Sequence, residues 1–232
     1  MHLSRLHQIA LAGVVLAAAC RESTGPGTTV VPGVITWIEW PAEVRSTDTD
    51  SIRISALAPC GSKPEYSVSV VGKAVHVTLQ ERQLNLGCPE LGSGTGAGYD
   101  TVLALPRLAV GIEAQHPVYA ISAPLPSGPS YFDLSLPAER TLGFISVVSA
   151  PDTTTSFAGL TSLTLDSSGC WRVQPWSEGF RPRWALAAPP DLTPDWSGRP
   201  ALLIGQFVPG SPAACGDARS VQPATLEVDA TP

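Results

Sequence analysis

The sequence predicts an all-β chain in two units, a two-sheet sandwich followed by a small barrel. Three observations carry that expectation. The 232 residues include 23 Pro and 21 Gly, which interrupt helices and make turns. Short runs alternate apolar and polar residues with a period of two, as half-buried strands do. Hydrophobic residues are 44% of the chain, enough to build a core.

Arg5 lies in the short first segment, and Ile9 to Ala19 carries no charge. A charged start, an apolar stretch and small residues at its end read as a secretory signal peptide over residues 1–19. The stretch is shorter than the roughly 20 apolar residues of a spanning helix. Leu16-Ala17-Ala18-Ala19-Cys20 resembles the lipobox of bacterial lipoproteins. The chain departs from the family at Ala17, where Leu is usual, with Leu16 one step further out. The resemblance implies cleavage before Cys20, acylation of its sulfur and a membrane anchor through lipid. By the family's sorting habit, Arg21 rather than Asp implies the outer membrane in a two-membrane cell. Plain secretion, with Cys20 left as a spare thiol, is the alternative.

Residues 20–33 follow as an expected flexible tether, because small, polar and breaker residues cannot bury a core. Residues 34–139 form the first unit. In Ser51 to Ala56, residues Ile52, Ile54 and Ala56 share one face. Tyr66 to Val70 and Val75 to Leu79 alternate on either side of Gly72-Lys73, a hairpin with Gly at the turn. Tyr99 to Leu105, Val118 to Ser122 and Tyr131 to Leu136 are further strand candidates. Glu39, between Trp37 and Trp40, reads as an edge-strand charge that blocks unwanted pairing. The run from Val68 through Cys88 to Pro106 resembles the immunoglobulin-like modules of exported bacterial proteins, without the buried Trp between cysteines of antibody domains.

Residues 140–232 form the second unit. Its strand candidates are Leu142 to Ser149, Leu160 to Asp166, Cys170 to Val173, Ala201 to Val208 and Thr225 to Val228. A helical turn is expected near Asp191 to Trp196. Five strands with an excursion after the third resemble an OB-like barrel, best over Ser197 to Gly205. A second sandwich, or one continuous sandwich, is the alternative architecture. If residues 34–139 and 140–232 are separate domains, each should fold alone.

The five cysteines are Cys20, Cys60, Cys88, Cys170 and Cys215. An exported chain meets an oxidising compartment where thiols pair. Their grouping favours Cys60–Cys88 and Cys170–Cys215, each inside one unit. No C-x-x-C occurs, so zinc is disfavoured, and neither a metal nor a cofactor is expected.

No catalytic motif stands out. Gly92 to Gly98 lacks the Lys of a phosphate loop and reads as a hairpin tip. His76, flanked by Val75 and Val77, is expected to face solvent, and His116 to lie in a loop before Pro117. Asp48-Thr49-Asp50 reads as a solvated turn. Trp171, Trp176, Trp184 and Trp196 are a candidate binding surface, weighed against the filling of a small barrel's interior. The net charge is −6 without a basic stripe, which excludes nucleic acid as the expected partner. Arg172, Arg181, Arg183 and Arg199 do not change this, since residues 140–232 hold six basic against eight acidic groups.

The expected function is that of a non-catalytic envelope lipoprotein that binds a protein or glycan. The alternative is a hydrolase of envelope polymers that uses Glu39, Asp50 or a His in a Trp-lined cleft.

Overall fold

The computed structural model describes residues 28–58, 64–84, 97–110, 114–122, 136, 140–175, 184–187, 192–210, 215–216 and 219–228. The chain is all-β, with a closed five-stranded barrel and a separate sheet. Cys20, Cys60, Cys88 and Trp176 lie outside the described residues, as do most of the signal-and-tether segment and the Gly92 to Gly96 part of the glycine run.

The first strands are β1 (Thr28–Pro32), β2 (Val34–Pro41), β3 (Glu43–Val44), β4 (Ser51–Ala58), β5 (Glu65–Val71), β6 (Ala74–Leu84) and β7 (Ala97–Ala104). They continue with β8 (Gln115–Ile121), β9 (Gly143–Val147), β10 (Thr155–Leu165) and β11 (Trp171–Pro175). The last are β12 (Trp184–Leu186), β13 (Pro200–Val208) and β14 (Ser220–Val228).

One sheet runs β1-β6-β8-β9-β3, with β5 on the other edge of β6. The facing sheet begins β7-β4-β2 and continues through β10 into the second unit. Between them, alternation delivers Ile52, Ile54 and Ala56 from β4 and Val75, Val77 and Leu79 from β6 to one core. The β5–β6 hairpin turns at Gly72, whose φ of 62° lies in the left-handed region. That is the hairpin the Gly72-Lys73 pair predicts.

The second unit closes as β10-β11-β12-β14-β13-β10. Numbered within the barrel, this order is 1-2-3-5-4-1, the OB arrangement, and its one parallel pair joins β12 to β14. The excursion after the third barrel strand contains the expected helical turn, a 3₁₀ helix at Pro194–Trp196. Gly205 marks a register shift in β13 opposite β14, and a Cβ there would sit 2.1 Å from the Gln222 carbonyl oxygen. Only glycine permits that approach, and the extra residue, Ala224, lies in β14, so the bulge bends β14 around the barrel.

β10 belongs to both units. Along one edge its first half pairs with β2 (Thr155↔Pro41 to Gly159↔Trp37), and its second half pairs with β11 (Thr161↔Pro175 to Leu165↔Trp171). Its other edge pairs with β13. Both faces are therefore buried. Ala158 and Leu160 enter the sandwich core, while Phe157 and Leu163 enter the barrel core. β13 divides in the same way, with Leu202 and Ile204 on one side and Ala201, Leu203 and Phe207 on the other. The continuous apolar run Ala201 to Ile204 is what two buried faces require.

Three expectations about organisation change accordingly. The boundary at Glu139 does not separate two sets of strands, because β9 pairs with β8 and β3 inside the sandwich sheet. Leu142 to Ser149 is thus not a barrel strand, and Trp184–Leu186 takes the place missed in the barrel. The end of the proposed tether is not free, because Thr28–Pro32 pairs antiparallel with Leu84–Gln80 of β6. Glu39 is no edge charge either, since β2 is paired on both sides. It accepts a hydrogen bond from Trp37 Nε1 at 3.0 Å.

Cys170–Cys215 is a disulfide with a Cα–Cα distance of 5.0 Å and a sequence separation of 45. A loop of that size corresponds to about 4 kcal/mol in the chain-entropy model. The bond fastens the loop before β14 to the start of β11.

Candidate functional site

Trp171 and Trp184 are buried in the barrel, and half-buried Trp196 packs against the same core. They do not form the binding surface proposed for them. The reason is volume: a narrow barrel fills its interior with large side chains. Trp184 stands in a network with Trp37, Phe157 and Phe207. Ring centroids are 4.9 Å apart for Trp37–Phe157, 4.7 Å for Trp37–Trp184 and 5.1 Å for Trp184–Phe207. Gly159 makes room for Trp37, since a Cβ there would lie 2.0 Å from Trp37 Cε3. A sandwich residue therefore plugs the barrel.

The histidines do not converge either. His76 is half-buried and stacks on Tyr119 at 5.3 Å. His116 is in β8 rather than a loop and is 2% exposed. Its ring nitrogens lie 2.9 Å from the Lys73 carbonyl and 3.2 Å from that of Ala109. Those contacts fasten β8 to the β5–β6 turn and make His116 a structural group. Arg172 is engaged with Asp166 at 3.1 Å, and Arg199 Nε donates to the Asp195 carbonyl at 3.0 Å. Ser168 and the Cys170 amide also donate to Asp166, and together these bonds hold its carboxyl down to about 2. This is a tightened β10–β11 hairpin, not a binding site. Among the described residues, no three His, Cys, Asp or Glu side chains are placed to hold a metal ion.

The surface feature with charge and shape is a groove at the entry to β10. The segment Pro151–Thr155 leads in, and Asp152 fixes it. Its carboxylate accepts from the Thr154 amide at 2.8 Å and the Thr154 hydroxyl at 2.9 Å, while its own amide donates to Glu43 at 3.1 Å. A cleft opens on each side of this segment. On the barrel side a cleft of about 800 Å³ lies between Asp152–Thr155 and Phe207–Gly210, with Gly216 and Arg219. The Arg219 guanidinium lies 3.8 Å over the Phe207 ring, and its carbonyl accepts from the Ala185 amide at 3.0 Å. Arg219 is exposed and has no carboxylate partner among the described residues.

On the sandwich side a cleft of about 440 Å³ includes Glu39, Glu43, Asp48, Asp50 and Asp152, with Arg53 as the one cation among the described lining residues. Arg53 is shared with Asp100 at 3.4 Å, and Ser55 donates to the same carboxylate. Burial, and then neighbouring Asp48, raises the Asp50 pKa above the ordinary carboxylate value. Trp40 lines this cleft although its ring is buried. Glu39 and Asp50, singled out separately in the sequence, thus meet in one cleft. Arg219 and the Thr153–Thr155 hydroxyls were not foreseen. A lone Arg after a disulfide cysteine, and a Thr run in a loop, carry no spacing signal.

Comparison of the chain with protein-family models, curated proteins and solved structures finds no match.

Proposed function

We propose that the chain is a lipid-anchored envelope protein that works by binding, and that the groove at the entry to β10 receives a protein or glycan partner. The observation that carries this reading is the construction of the groove. Sandwich residues wall one side, barrel residues wall the other, and Asp152–Thr155 is common to both. A guanidinium at one end and several carboxylates at the other suit a partner with both charges. Complementary charge of that kind sets specificity and encounter rate. The lipobox-like Leu16–Cys20 supports the anchor. Because β1 begins at Thr28, the chain from Cys20 spans at most about 30 Å even fully extended. The start of the folded part would then be held close to the membrane surface.

In the full-length chain, Cys20→Ala is expected to abolish labelling by a fatty-acid analogue and to leave the protein unprocessed or soluble. Unchanged labelling would contradict the anchor. The second reading is an envelope-polymer hydrolase, favoured by the meeting of Glu39 and Asp50 beside Trp40. It requires release of soluble fragments from purified envelope polymer by the wild type and none by Glu39→Gln or Asp50→Asn.

A further inference from the structure

The period-two pattern of β6 continues inward beyond Leu79, and the next inward position is Glu81. Its side chain is 1% exposed, and neither carboxylate oxygen has a hydrogen-bond partner among the described residues. A buried carboxylate without donors is costly, whereas a neutral carboxylic acid is tolerated far better. The cover over it is specific. Val31 of β1 is the Cα partner of Glu81. The chain then crosses from one sheet to the other at Gly33, whose amide donates to the Leu79 carbonyl at 2.9 Å. A Cβ on Gly33 would lie 2.7 Å from Leu79 Cγ and 3.1 Å from Glu81 Cγ. The crossover therefore rests on the stem of Glu81.

We infer that Glu81 makes the docking of β1 a pH-sensitive latch. With the acid neutral, the Gly33 crossover lies flat and β1 pairs with the end of β6. With the acid ionised, the charge gains water only by lifting the crossover, and β1 is released while the rest of the sandwich stays closed. Tyr66 of β5 is the titratable group that interacts with Glu81 at this end of the core; Tyr99 and Asp100 of β7 act on Tyr66 in turn, with Asp100 on the outer face beside Arg53. Among the described residues no cation pairs with Glu81, and the Tyr66 hydroxyl is itself buried without a hydrogen-bond partner. Burial raises the Glu81 pKa to about 7, and the same neighbourhood pushes the Tyr66 phenol to about 12.

The folded-state value lies above the ordinary 4.5, so the docked form holds the proton more tightly than the released form. Docking is strongest below pH 4.5, weakens as pH rises, and levels off above pH 7. Full coupling over that interval weakens docking by about 300-fold. The inference does not depend on the anchor or on the groove.

Hydrogen exchange of the mature chain, corrected for intrinsic rates, tests it between pH 5 and 8. The expected result is loss of protection at residues 28–33 as pH rises, with β2 and β4 unchanged. Glu81→Gln and Glu81→Leu should each remove the pH dependence. Equal protection at all pH values, an equal loss in β2 and β4, or persistence of the effect in both variants would overturn the latch.

Discussion

Residues 34–139, made alone, are expected not to fold. The fragment retains β2, β3, β4, β5, β6, β7 and β8, but it lacks β1, β9 and β10. Its core loses Leu142, Ile145, Ala158, Leu160, Leu202 and Ile204. Burying one such side chain contributes about 1.5–3 kcal/mol, so the combined loss matches or exceeds the roughly 5–15 kcal/mol by which domains are stable. The fragment also exposes the β2 edge that β10 covers. Residues 140–232 keep all five barrel strands and the Cys170–Cys215 bond. They lose Trp37, and should melt below the intact chain. A cooperative urea transition in the 34–139 fragment would contradict the sharing of β10.

The second large effect lies at the plug. Trp37→Ala empties the space between Phe157 and Trp184 and is expected to cost about 3–5 kcal/mol. Gly159→Ala drives a methyl group into the same ring. Trp37 is held by stacking on both sides and by its bond to Glu39, so it cannot swing aside freely. The cost expected is about 1–3 kcal/mol or more. In the double variant the methyl group enters vacated space, so the combined loss should be clearly smaller than the sum. A urea-denaturation double-mutant cycle measures this coupling. Additive losses would mean that Trp37 and Gly159 are not packed as described.

What could be read from the sequence was what has a short period. Alternation located β4, β5, β6 and most of β7, and a glycine at a tight turn located the β5–β6 hairpin. The Cys170–Cys215 pair was also legible from spacing, whereas the count of five barrel strands came out right only because Leu142 to Ser149, a sandwich strand, offset the missed Trp184–Leu186. The assignment of β9 was not legible. Gly143–Val147 has the composition of any half-buried strand, and nothing in it says which sheet it joins. The same holds for β10, whose first half, Thr155 to Gly159, is too rich in small and polar residues to advertise two buried faces. Glu81 was within reach, since extending the alternation Val75, Val77, Leu79 by one step makes it an inward-facing acid. The groove was only half visible. Its acids stood out singly in the sequence, while Arg219 and Thr153–Thr155 are brought beside them by strand pairings between distant parts of the chain.

The central claim is that the groove binds a partner in the envelope, and a pull-down from detergent-solubilised envelope tests it most directly. The bait is the mature chain, compared with Arg219→Glu and Asp48→Lys. Both side chains are exposed; Asp48→Lys should leave the melting temperature unchanged, and Arg219→Glu should lower it only slightly through loss of the contact with Phe207, about 0.5–1 kcal/mol. The wild type is expected to retain a specific envelope component, to crosslink to it through residues 152–155, and to lose it at least about tenfold in each variant, as about 1.4 kcal/mol of lost charge pairing would give. Retention of the same component by both variants, or nothing enriched over a bait lacking the folded part, would contradict the claim.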